Sequence, residues 1–351
     1  MTAGGLPADS PEAGGVPHGP EAGGVLLRPL APGAWPGRLV CVSLNAAIDK
    51  IVAVDELRRG EIHRPANLSM VPGGKALNVA RAAAALGMPV CAIVVLGGHA
   101  GDWMASALRA SAIEVRIVQQ PGETRTCLSV LDRGDGSLTE FYEPGLALDA
   151  TGWGAIEDSL AASLSGKASE TLVVLAGSLP PGAPVDGYAR LVNLARRAGA
   201  QTVVDADRQV LDAALTARPR LVKVNAREAA VATGIDATDE GAVVAAAQAI
   251  SARTGHAVLI TRGRDGAILL TETREVWRVG PPPEFGLYPV GSGDSMLAGL
   301  IVALASGYTL PEATRRGGAV GAANALVPGQ GEFDLADAAR MLSETRLERI
   351  G

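Results

Sequence analysis

The sequence is poor in the residues on which several functional classes depend. Among 351 residues there are three cysteines and four histidines, and only 3% of the chain is aromatic. Cys41, Cys91 and Cys127 lack CxxC spacing and lie in apolar runs, so we interpret them as small core residues in a reduced compartment. The histidines have no helical i, i+4 spacing, so the sequence gives little support to a zinc site.

Long runs of apolar residues and long runs of basic residues are also missing. No apolar run reaches about 18 residues, the length that suggests a membrane span, and the N-terminus lacks a charged start followed by an apolar stretch. The net charge is −6, and no long run of Lys or Arg is available to neutralise a polyphosphate backbone. We therefore expect a cytoplasmic protein with no membrane or nucleic-acid partner.

The composition favours a large core. With 48% hydrophobic and 19% charged residues, the chain is long enough for one large α/β domain or two ordinary ones. Residues 1–37 are an exception, because they repeat PEAGG and EAGGV and are crowded with Gly, Pro and Ala. We predict that this segment is a disordered tail, since its composition buries too little apolar surface.

After residue 37, short apolar runs alternate with helical stretches. This order predicts an α/β fold with a mostly parallel sheet and helices on both faces. The predicted strands are 39–44, 91–96, 172–176, 202–205, 221–224, 258–261 and 267–270, and the predicted helices are 76–86, 102–112, 184–198, 227–233, 240–253, 295–306 and 311–326.

Two segments break this alternation. Residues 51–70 and 115–142 show strand-like alternation without a helix between their pieces. One interpretation is a small separate sheet that forms a lid over the site. The other is an antiparallel extension at the edge of the main sheet.

The segment 290–299, VGSGDSMLAG, is the most informative part of the chain. Gly291 and Gly293 let backbone N–H groups turn around an anion, and the helix that follows adds the partial positive charge of its N-terminus. Asp294 then lies where a general base prepares an alcohol for attack on a phosphoryl group. The alternative is that Asp294 only caps the helix.

Polar residues follow other predicted strands, where open α/β sheets bind ligands. Asp49 ends one strand, either as an acceptor for sugar hydroxyls or as a turn former. The spacing of Asn225 and Glu228 has two interpretations. The side chains either lie near the metal-bound phosphates of a nucleotide or form a helix capping box. The remaining positions are Gly73, Gly74, Lys75 and Asn78 at the start of a helix, and Thr261, Gly263 and Gly266 in a tight hairpin.

Other nucleotide-binding and hydrolase motifs are missing. Ser165-Gly166-Lys167-Ala168 lacks the hydroxyl residue and the upstream glycine of a Walker A motif, which excludes a P-loop NTPase. The chain contains no GxSxG elbow. The glycines near Asp294 do not match the dinucleotide-binding fingerprint, and the cluster at 97–101 is too weak to indicate a dehydrogenase.

Together these segments resemble the ribokinase-like PfkB family of sugar kinases, from about Arg38 to the C-terminus. Gly73-Gly74-Lys75 with Asn78 is similar to the N-terminal signature of the family, and 290–299 is similar to its C-terminal signature. Glu143-Pro144-Gly145, the run 177–182 (GSLPPG) and the run that ends in Asp49 resemble the branch that contains 1-phosphofructokinases and tagatose-6-phosphate kinases.

The resemblance implies a ribokinase-like three-layer fold and a role for each matching residue. Asp294 would be the general base, and Gly291, Ser292 and Gly293 would hold the transferred phosphoryl group. The other implied contacts are Asp49, Gly73, Gly74 and Asn78 on sugar hydroxyls; Lys75 and Arg125, with Arg64 as a further candidate, on the substrate phosphate; Asn225 and Glu228 around Mg²⁺ through water; and Thr261, Gly263, Gly266 and Asn324 around ATP.

The activity implied is ATP- and Mg²⁺-dependent phosphorylation of a ketohexose phosphate, with fructose 1-phosphate converted to fructose 1,6-bisphosphate by a homodimer that pairs through the lid. The alternatives are a kinase for fructose 6-phosphate, tagatose 6-phosphate or an unphosphorylated sugar or nucleoside, and a non-catalytic paralogue that binds sugar phosphates. Arg208 departs from the family pattern, because glycine is common at that position.

Overall fold

The computed structural model describes residues 36–66 and 68–351, so the predicted tail at 1–37 lies almost entirely outside the described residues. Within these ranges no helix combines the length and apolar composition that crossing a membrane requires. The strands are β1 Arg38–Ser43, β2 Ala47–Val54, β3 Leu68–Gly73, β4 Val90–Leu96, β5 Ile113–Gln119, β6 Arg125–Asp132, β7 Leu138–Tyr142, β8 Thr171–Ala176, β9 Gln201–Asp205, β10 Leu221–Asn225, β11 Ala257–Thr261, β12 Ala267–Leu270, β13 Val276–Gly280 and β14 Arg346–Arg349.

The helices alternate with these strands. They are α1 Lys75–Ala85, α2 Gly98–Ala110, α3 Ala150–Leu164, α4 Gly187–Ala198, α5 Arg208–Thr216, α6 Ala226–Thr233, α7 Glu240–Thr254, α8 Ser292–Ala305, α9 Leu310–Asn324 and α10 Leu335–Glu344. All the predicted strands and helices are present, most of them with shifted ends. The prediction missed α3, α5 and α10 and the last two strands.

The large sheet has the order β14-β13-β12-β11-β10-β9-β8-β1-β4-β5. Its strands are parallel from β11 to β5, while β12, β13 and β14 add antiparallel at one end. Along β1, Leu39 and Cys41 belong to one core and Val40 and Val42 to the other, as the alternation of a strand requires. The predicted three-layer α/β fold is therefore confirmed.

The two cores contain different helices. One holds buried residues of α1, α2, α8, α9 and α10, and the other holds those of α3, α4, α5, α6 and α7. Helix α8 is buried from Asp294 through Ala305, so it runs through the interior, and only its N-terminal end, up to Met296, reaches the cavity described below.

The small separate sheet has the order β3-β2-β6-β7. The lid interpretation placed residues 115–142 in it, and this is wrong for 115–119, because β5 pairs in parallel with β4 in the large sheet. Strand-like alternation identifies a strand but does not show which sheet it joins. At the other end, β2 begins at Ala47 and pairs with β3 and β6, so the small sheet starts before residue 51.

Candidate active site

Loops at the carboxyl ends of the parallel strands enclose a cavity of about 840 Å³. It lies at the crevice between β1 and β8, where chain connections leave in opposite directions and open α/β sheets bind ligands. Asn45, just after β1, donates from Nδ2 to Ser178 Oγ beyond β8 over 2.9 Å. This polar contact joins the segments that follow β1 and β8.

Most of the predicted site residues line this cavity. They are Asp49, Gly74, Lys75, Asn78, Arg125, Asn225, Glu228, Thr261, Gly263, Gly266, Gly291, Ser292, Gly293 and Asp294. Gly73 lies just behind the cavity wall, where a Cβ would be 1.9 Å from Asp49 Oδ2, so its lack of a side chain makes room for that carboxylate.

Two predicted residues are not brought to the cavity. Arg64 lies exposed in the connection between β2 and β3 and is not among the lining residues. Asn324 was predicted to line the ATP pocket, and this is wrong, because it is fully buried behind the wall. Its Oδ1 accepts hydrogen bonds from Ser295 Oγ and from the N–H of Gly331, so it joins α8 to the turn that follows α9.

The N-terminus of α8 opens directly into the cavity. Gly291 is its N-cap at φ 83°, a left-handed conformation that favours glycine. The helix therefore begins at Ser292, three residues earlier than predicted, and Ser292, Gly293 and Asp294 form its first turn. No side chain caps the helix, so the interpretation of Asp294 as a cap is wrong. The Ser292 N–H donates to the Pro289 carbonyl over 3.2 Å. The first turn of a helix has N–H groups without partners within the helix, and together with the helix dipole they favour an anion here.

Asp294 is buried at this helix start, with 6% of its surface exposed. Its Oδ2 accepts a hydrogen bond from Asn78 Nδ2 over 2.8 Å. Burial raises the pKa of Asp294 to about 6, with Asp205 adding to the rise and Lys223, Lys75 and the Asn78 bond opposing it. A carboxyl with a pKa near the working pH is suited to accept a proton.

Asp49 faces Asp294 from the small sheet. Only 7% of its surface is exposed, and its Oδ2 accepts from the N–H of Gly74 over 3.4 Å. Burial raises the pKa of Asp49 to about 7, against the lowering effects of the Gly74 bond and of Arg125. The two carboxyls repel each other, so a ligand that donates hydroxyl hydrogens between them is favoured.

Lys75 starts α1 and is already paired. Its Nζ lies 2.9 Å from Asp205 Oδ1 and 2.9 Å from Glu228 Oε1. Burial lowers the pKa of Lys75, but Asp205, Glu228 and Asp294 outweigh it, so the pKa is raised overall. Lys75 is therefore an ion-paired side chain and not one surrounded only by solvent. Two carboxylates therefore already share this ammonium.

Asn225 and Glu228 form the capping box that was the simpler interpretation of their spacing. The Glu228 N–H donates to Asn225 Oδ1 and the Asn225 N–H donates to Glu228 Oε2, each over 2.8 Å. Both residues nevertheless line the cavity. Each carboxylate oxygen of Glu228 accepts one hydrogen bond and keeps a lone pair that can accept a metal-bound water.

Two charged residues in the site had no predicted role. Lys223 lies within apolar β10 and Asp205 ends β9, and Lys223 Nζ is 2.5 Å from Asp205 Oδ2. Although burial raises the pKa of Asp205, Lys223 and Lys75 hold it below the ordinary value. A lysine inside the run LVKVN was the available signal, because a buried cation requires a partner.

Arg125 begins β6 and reaches the cavity from the small sheet. Its Nη2 donates to the carbonyl of Asn45 over 2.9 Å and its Nη1 to the carbonyl of Glu143 over 3.3 Å. The Glu143 carboxylate in turn accepts from the N–H of Thr126. The guanidinium is thus held in place by carbonyl oxygens, which leaves its positive charge available to an anion.

Unpartnered buried polar atoms are concentrated in the cavity. Within the described ranges, the cavity-lining atoms that are buried without a hydrogen-bond partner are Asn45 Oδ1, Asn78 Oδ1, Arg125 Nε, Ser292 Oγ and Gln330 Oε1. Leaving such an atom unpaired costs about 1–3 kcal/mol. Their grouping around one space indicates a polar ligand with both donors and acceptors.

The part of the cavity next to α9 is more apolar. Thr261, Gly263 and Gly266 line it from the β11–β12 turn, which closes with an Arg262 N–H to Gly266 carbonyl bond of 2.7 Å, as the hairpin interpretation expected. Phe285 is 46% exposed at the rim, and Arg264 lies 5.0 Å from its ring centre. Phe285 and the small residues Gly318, Gly321 and Ala322 of α9 give this part of the cavity an apolar surface.

Comparison with known proteins identifies the family of this chain. Residues 38–336 match the model of the pfkB family of carbohydrate kinases. The chain belongs to this family. The 1-phosphofructokinase of Xanthomonas campestris is 36% identical over 271 residues, which cover 76% of this chain and 83% of that protein. The 1-phosphofructokinase of Rhodobacter capsulatus is 34% identical over 280 residues, covering 79% and 87%.

A solved structure extends the likeness to three dimensions. Phosphofructokinase-2 from Escherichia coli, crystallised in complex with substrates and products, superposes with a TM-score of 0.81 at 29% identity, covering 87% of this chain and 98% of that one. This pfkB chain is thus similar to sugar-phosphate kinases over nearly all of its described length.

Proposed function

We propose that this pfkB protein transfers the γ-phosphoryl group of ATP to the free primary hydroxyl of fructose 1-phosphate, giving fructose 1,6-bisphosphate. One observation carries the proposal. Asp294, a buried carboxyl suited to accept a proton, lies in the first turn of α8, in the cavity at the crevice between β1 and β8. The names of the relatives from Xanthomonas and Rhodobacter support the choice of sugar.

The proposed chemical step uses Asp294 as the base. Asn78 donates to Oδ2, which leaves Oδ1 to take the proton of the acceptor hydroxyl. As that oxygen bonds to the γ-phosphorus, the bond from phosphorus to the ADP oxygen breaks. The backbone N–H groups of Gly291, Ser292 and Gly293 stabilise the charge on the phosphoryl oxygens, and this contribution is electrostatic.

The acceptor sugar is proposed to lie between the two sheets. Asp49 and Asn78 accept from its hydroxyls, with Gly73 and Gly74 allowing close approach. Arg125 and Lys75 hold the phosphate that it already carries, a task that requires fixed cations in a partly desolvated pocket. These two cations disfavour an unphosphorylated sugar or nucleoside.

We place ATP along the first turn of α8, with its base in the apolar part beside Thr261, Gly263 and Gly266. Within residues 36–66 and 68–351, no three His, Cys, Asp or Glu side chains converge to cage a metal ion. Glu228 and Asn225 would hold Mg²⁺ through water. When bound, it neutralises phosphate charge during transfer.

We further propose that residues 38–351 form one kinase domain in which the small sheet is the lid. Its register places Asp49, Cys127 and Tyr142 on the face that lines the cavity. On the opposite face, one row across the four strands consists of Met70, Lys50, Leu128 and Phe141. Met70 and Phe141 in this row are exposed, and so is Leu68, two residues before Met70 on the same face. This apolar outer face supports a homodimer through the lid.

Since the substrates are held inside cells, we expect the enzyme to act in the cytoplasm.

The decisive experiment is a coupled ADP-release assay with a panel of acceptors. We expect the highest kcat/KM with fructose 1-phosphate and lower values with fructose 6-phosphate, tagatose 6-phosphate, free fructose and a nucleoside. Preference for fructose 6-phosphate would favour the second candidate, which the likeness to Escherichia coli phosphofructokinase-2 supports. Binding of sugar phosphates without any ADP release would instead identify a non-catalytic paralogue.

A further inference from the structure

Lys223 occupies a position that folding alone does not explain. It lies between Val222 and Val224 in β10, where its neighbours are buried and its own side chain is 5% exposed. Burying an ammonium costs free energy unless it is paired, and a pair is often no more stable than apolar residues of the same size. Replacing Lys223 together with its partner Asp205 by apolar residues is therefore often neutral or stabilising, so folding alone does not require this pair.

The ammonium of Lys223 lies against the start of α8. A Cβ added to Gly293 would be 2.9 Å from Lys223 Nζ, so glycine at this position makes room for the cation. The N-terminus of a helix carries partial positive charge, and a cation beside it is unfavourable unless an anion joins them. The carboxylates of Asp205 and Asp294 lie beside Lys223, and the ammonium and the first turn of α8 line the same cavity, where an anionic ligand can contact both.

Asp205 fixes the position of this cation. Its side chain is completely buried, with Oδ2 on Lys223 Nζ at 2.5 Å and Oδ1 on Lys75 Nζ at 2.9 Å. An ammonium has three N–H donors and Asp205 takes one of those on Lys223. One buried carboxylate therefore sets the location of two lysines that face the same cavity.

We propose that Lys223 is a further catalytic residue, which stabilises the phosphoryl group during transfer, and that Asp205 is the positioning residue that aims Lys223 at it. This inference rests on the proposed kinase reaction and adds no covalent step to it. Lys223 contributes a fixed positive charge beside the amides of Gly291, Ser292 and Gly293, in a site where water does not screen it.

The same arrangement couples Lys223 and Asp205 to the base. The charged groups around Asp294 are Lys223 from β10, Asp205 from β9, Lys75 from α1 and Asp49 from β2. Lys223 lowers the pKa of Asp294 and Asp205 raises it. The two residues therefore act on the protonation of the base in opposite directions.

The first test is Lys223→Met, which preserves the apolar strand and leaves Asp205 paired with Lys75. We expect kcat to fall about 100-fold, the loss typical of one oxyanion-hole donor, while KM for fructose 1-phosphate and for ATP stays within threefold. The acidic limb of the kcat profile should move to higher pH. Lys167→Met, at an exposed lysine far from the cavity, is the matched control and should leave both quantities unchanged.

The second test is Asp205→Asn, which removes the charge and keeps the shape. We expect a smaller loss of kcat and an acidic limb displaced to lower pH, opposite to that of Lys223→Met. Binding of ADP with aluminium fluoride and sugar phosphate, measured by calorimetry, gives a readout that does not use turnover. In Lys223→Met the affinity for aluminium fluoride should fall at least tenfold more than the affinity for ADP alone.

The outcomes separate this inference from the proposed function. If the wild-type protein turns over sugar phosphates and both folded variants keep kcat within threefold with unmoved acidic limbs, the role of Lys223 and Asp205 is structural and the inference is overturned. If the wild-type protein itself releases no ADP with any acceptor, the proposed function fails instead. Thermal unfolding of each variant checks that it is folded.

Discussion

The two sheets meet at the cavity but contribute to it in different ways. At the carboxyl edge of the large sheet, charged side chains are buried and held by one another or by a side-chain amide, as Asp205, Lys223 and Asp294 show. The small sheet contributes Asp49 and Arg125, and its outer face is left with exposed apolar side chains. We infer that the chemical step belongs to the large sheet and that recognition of the acceptor and of a second subunit belongs to the small one.

The largest effect should come from removing the base on the large-sheet side. Asp294→Asn keeps the shape of the side chain but cannot accept the proton, so we expect kcat to fall about 10³- to 10⁴-fold. ATP binding and the melting temperature should change little. The measurements are steady-state kinetics, calorimetric titration with ATP and thermal unfolding. Asp158→Asn, at an exposed carboxyl on α3, is the control, and a rate within tenfold of the wild type would exclude the base role.

The matching change in the small sheet should affect binding instead. Arg125→Ala removes a cation proposed to hold the substrate phosphate, an interaction worth about 1.5–3 kcal/mol, so KM for fructose 1-phosphate should rise about 10- to 100-fold. Because Arg125 lies away from the transferred group, kcat should change less than KM. Arg133→Ala, just beyond the other end of β6, is the control. A 10- to 100-fold fall in kcat of Arg125→Ala with an unchanged KM would contradict the proposed division of roles between the two sheets.

The pH dependence tests whether the two carboxyls act together across the cavity. Burial raises the pKa of Asp294 to about 6 and that of Asp49 to about 7. A base acts only when deprotonated, so kcat/KM should be constant at higher pH and fall as the pH drops through 7 and then 6. Asn78→Ala should move the limb to higher pH, because the amide lowers the pKa of Asp294. A limb near pH 4, the ordinary range of a carboxyl, would contradict the burial argument.

The comparison between the sheets also explains what the sequence alone predicts. The strand-then-helix order and the buried Val-rich runs are local patterns, so the large sheet and most lining residues follow from them. The pair Lys223 and Asp205 joins residues 18 positions apart, and their contact depends on β9 and β10 being neighbours, which no local pattern gives. Likewise, alternation identified β5 as a strand but not its partner β4, which lies in the large sheet.

The small sheet's outer face gives a prediction about assembly. Phe141→Glu places a charge in the exposed apolar row, so a dimer that forms through this face should dissociate to monomers. Size-exclusion chromatography with light scattering measures the change. Val231→Glu is a matched control, because Val231 is 59% exposed and Phe141 is 58% exposed, but Val231 lies on α6. A wild-type protein that is already monomeric, or a Phe141→Glu variant that stays dimeric, would remove the lid interface.

The smallest expected effect lies beside the large-sheet site, where Arg208 begins α5 at φ 49° with an exposed side chain. Left-handed backbone costs a residue with a side chain about 1–2 kcal/mol, while glycine loses about 0.5–1 kcal/mol of chain entropy on folding. Arg208→Gly should therefore raise the melting temperature by about 1–3 °C in a scanning calorimeter.

Arg218 provides the comparison that isolates the backbone contribution. It also has a positive φ, of 58°, but its Nε donates to the carbonyl of Thr254 over 2.9 Å. Arg218→Gly gains the same backbone relief and loses this bond, worth about 1 kcal/mol, so its melting temperature should not rise. If Arg208→Gly melts at a lower temperature than the wild type, the Arg208 side chain makes a stabilising contact that outweighs the backbone strain. Arg208 would then resemble Asp205, Lys223 and Asp294, the charged side chains of the large sheet that are held by partners.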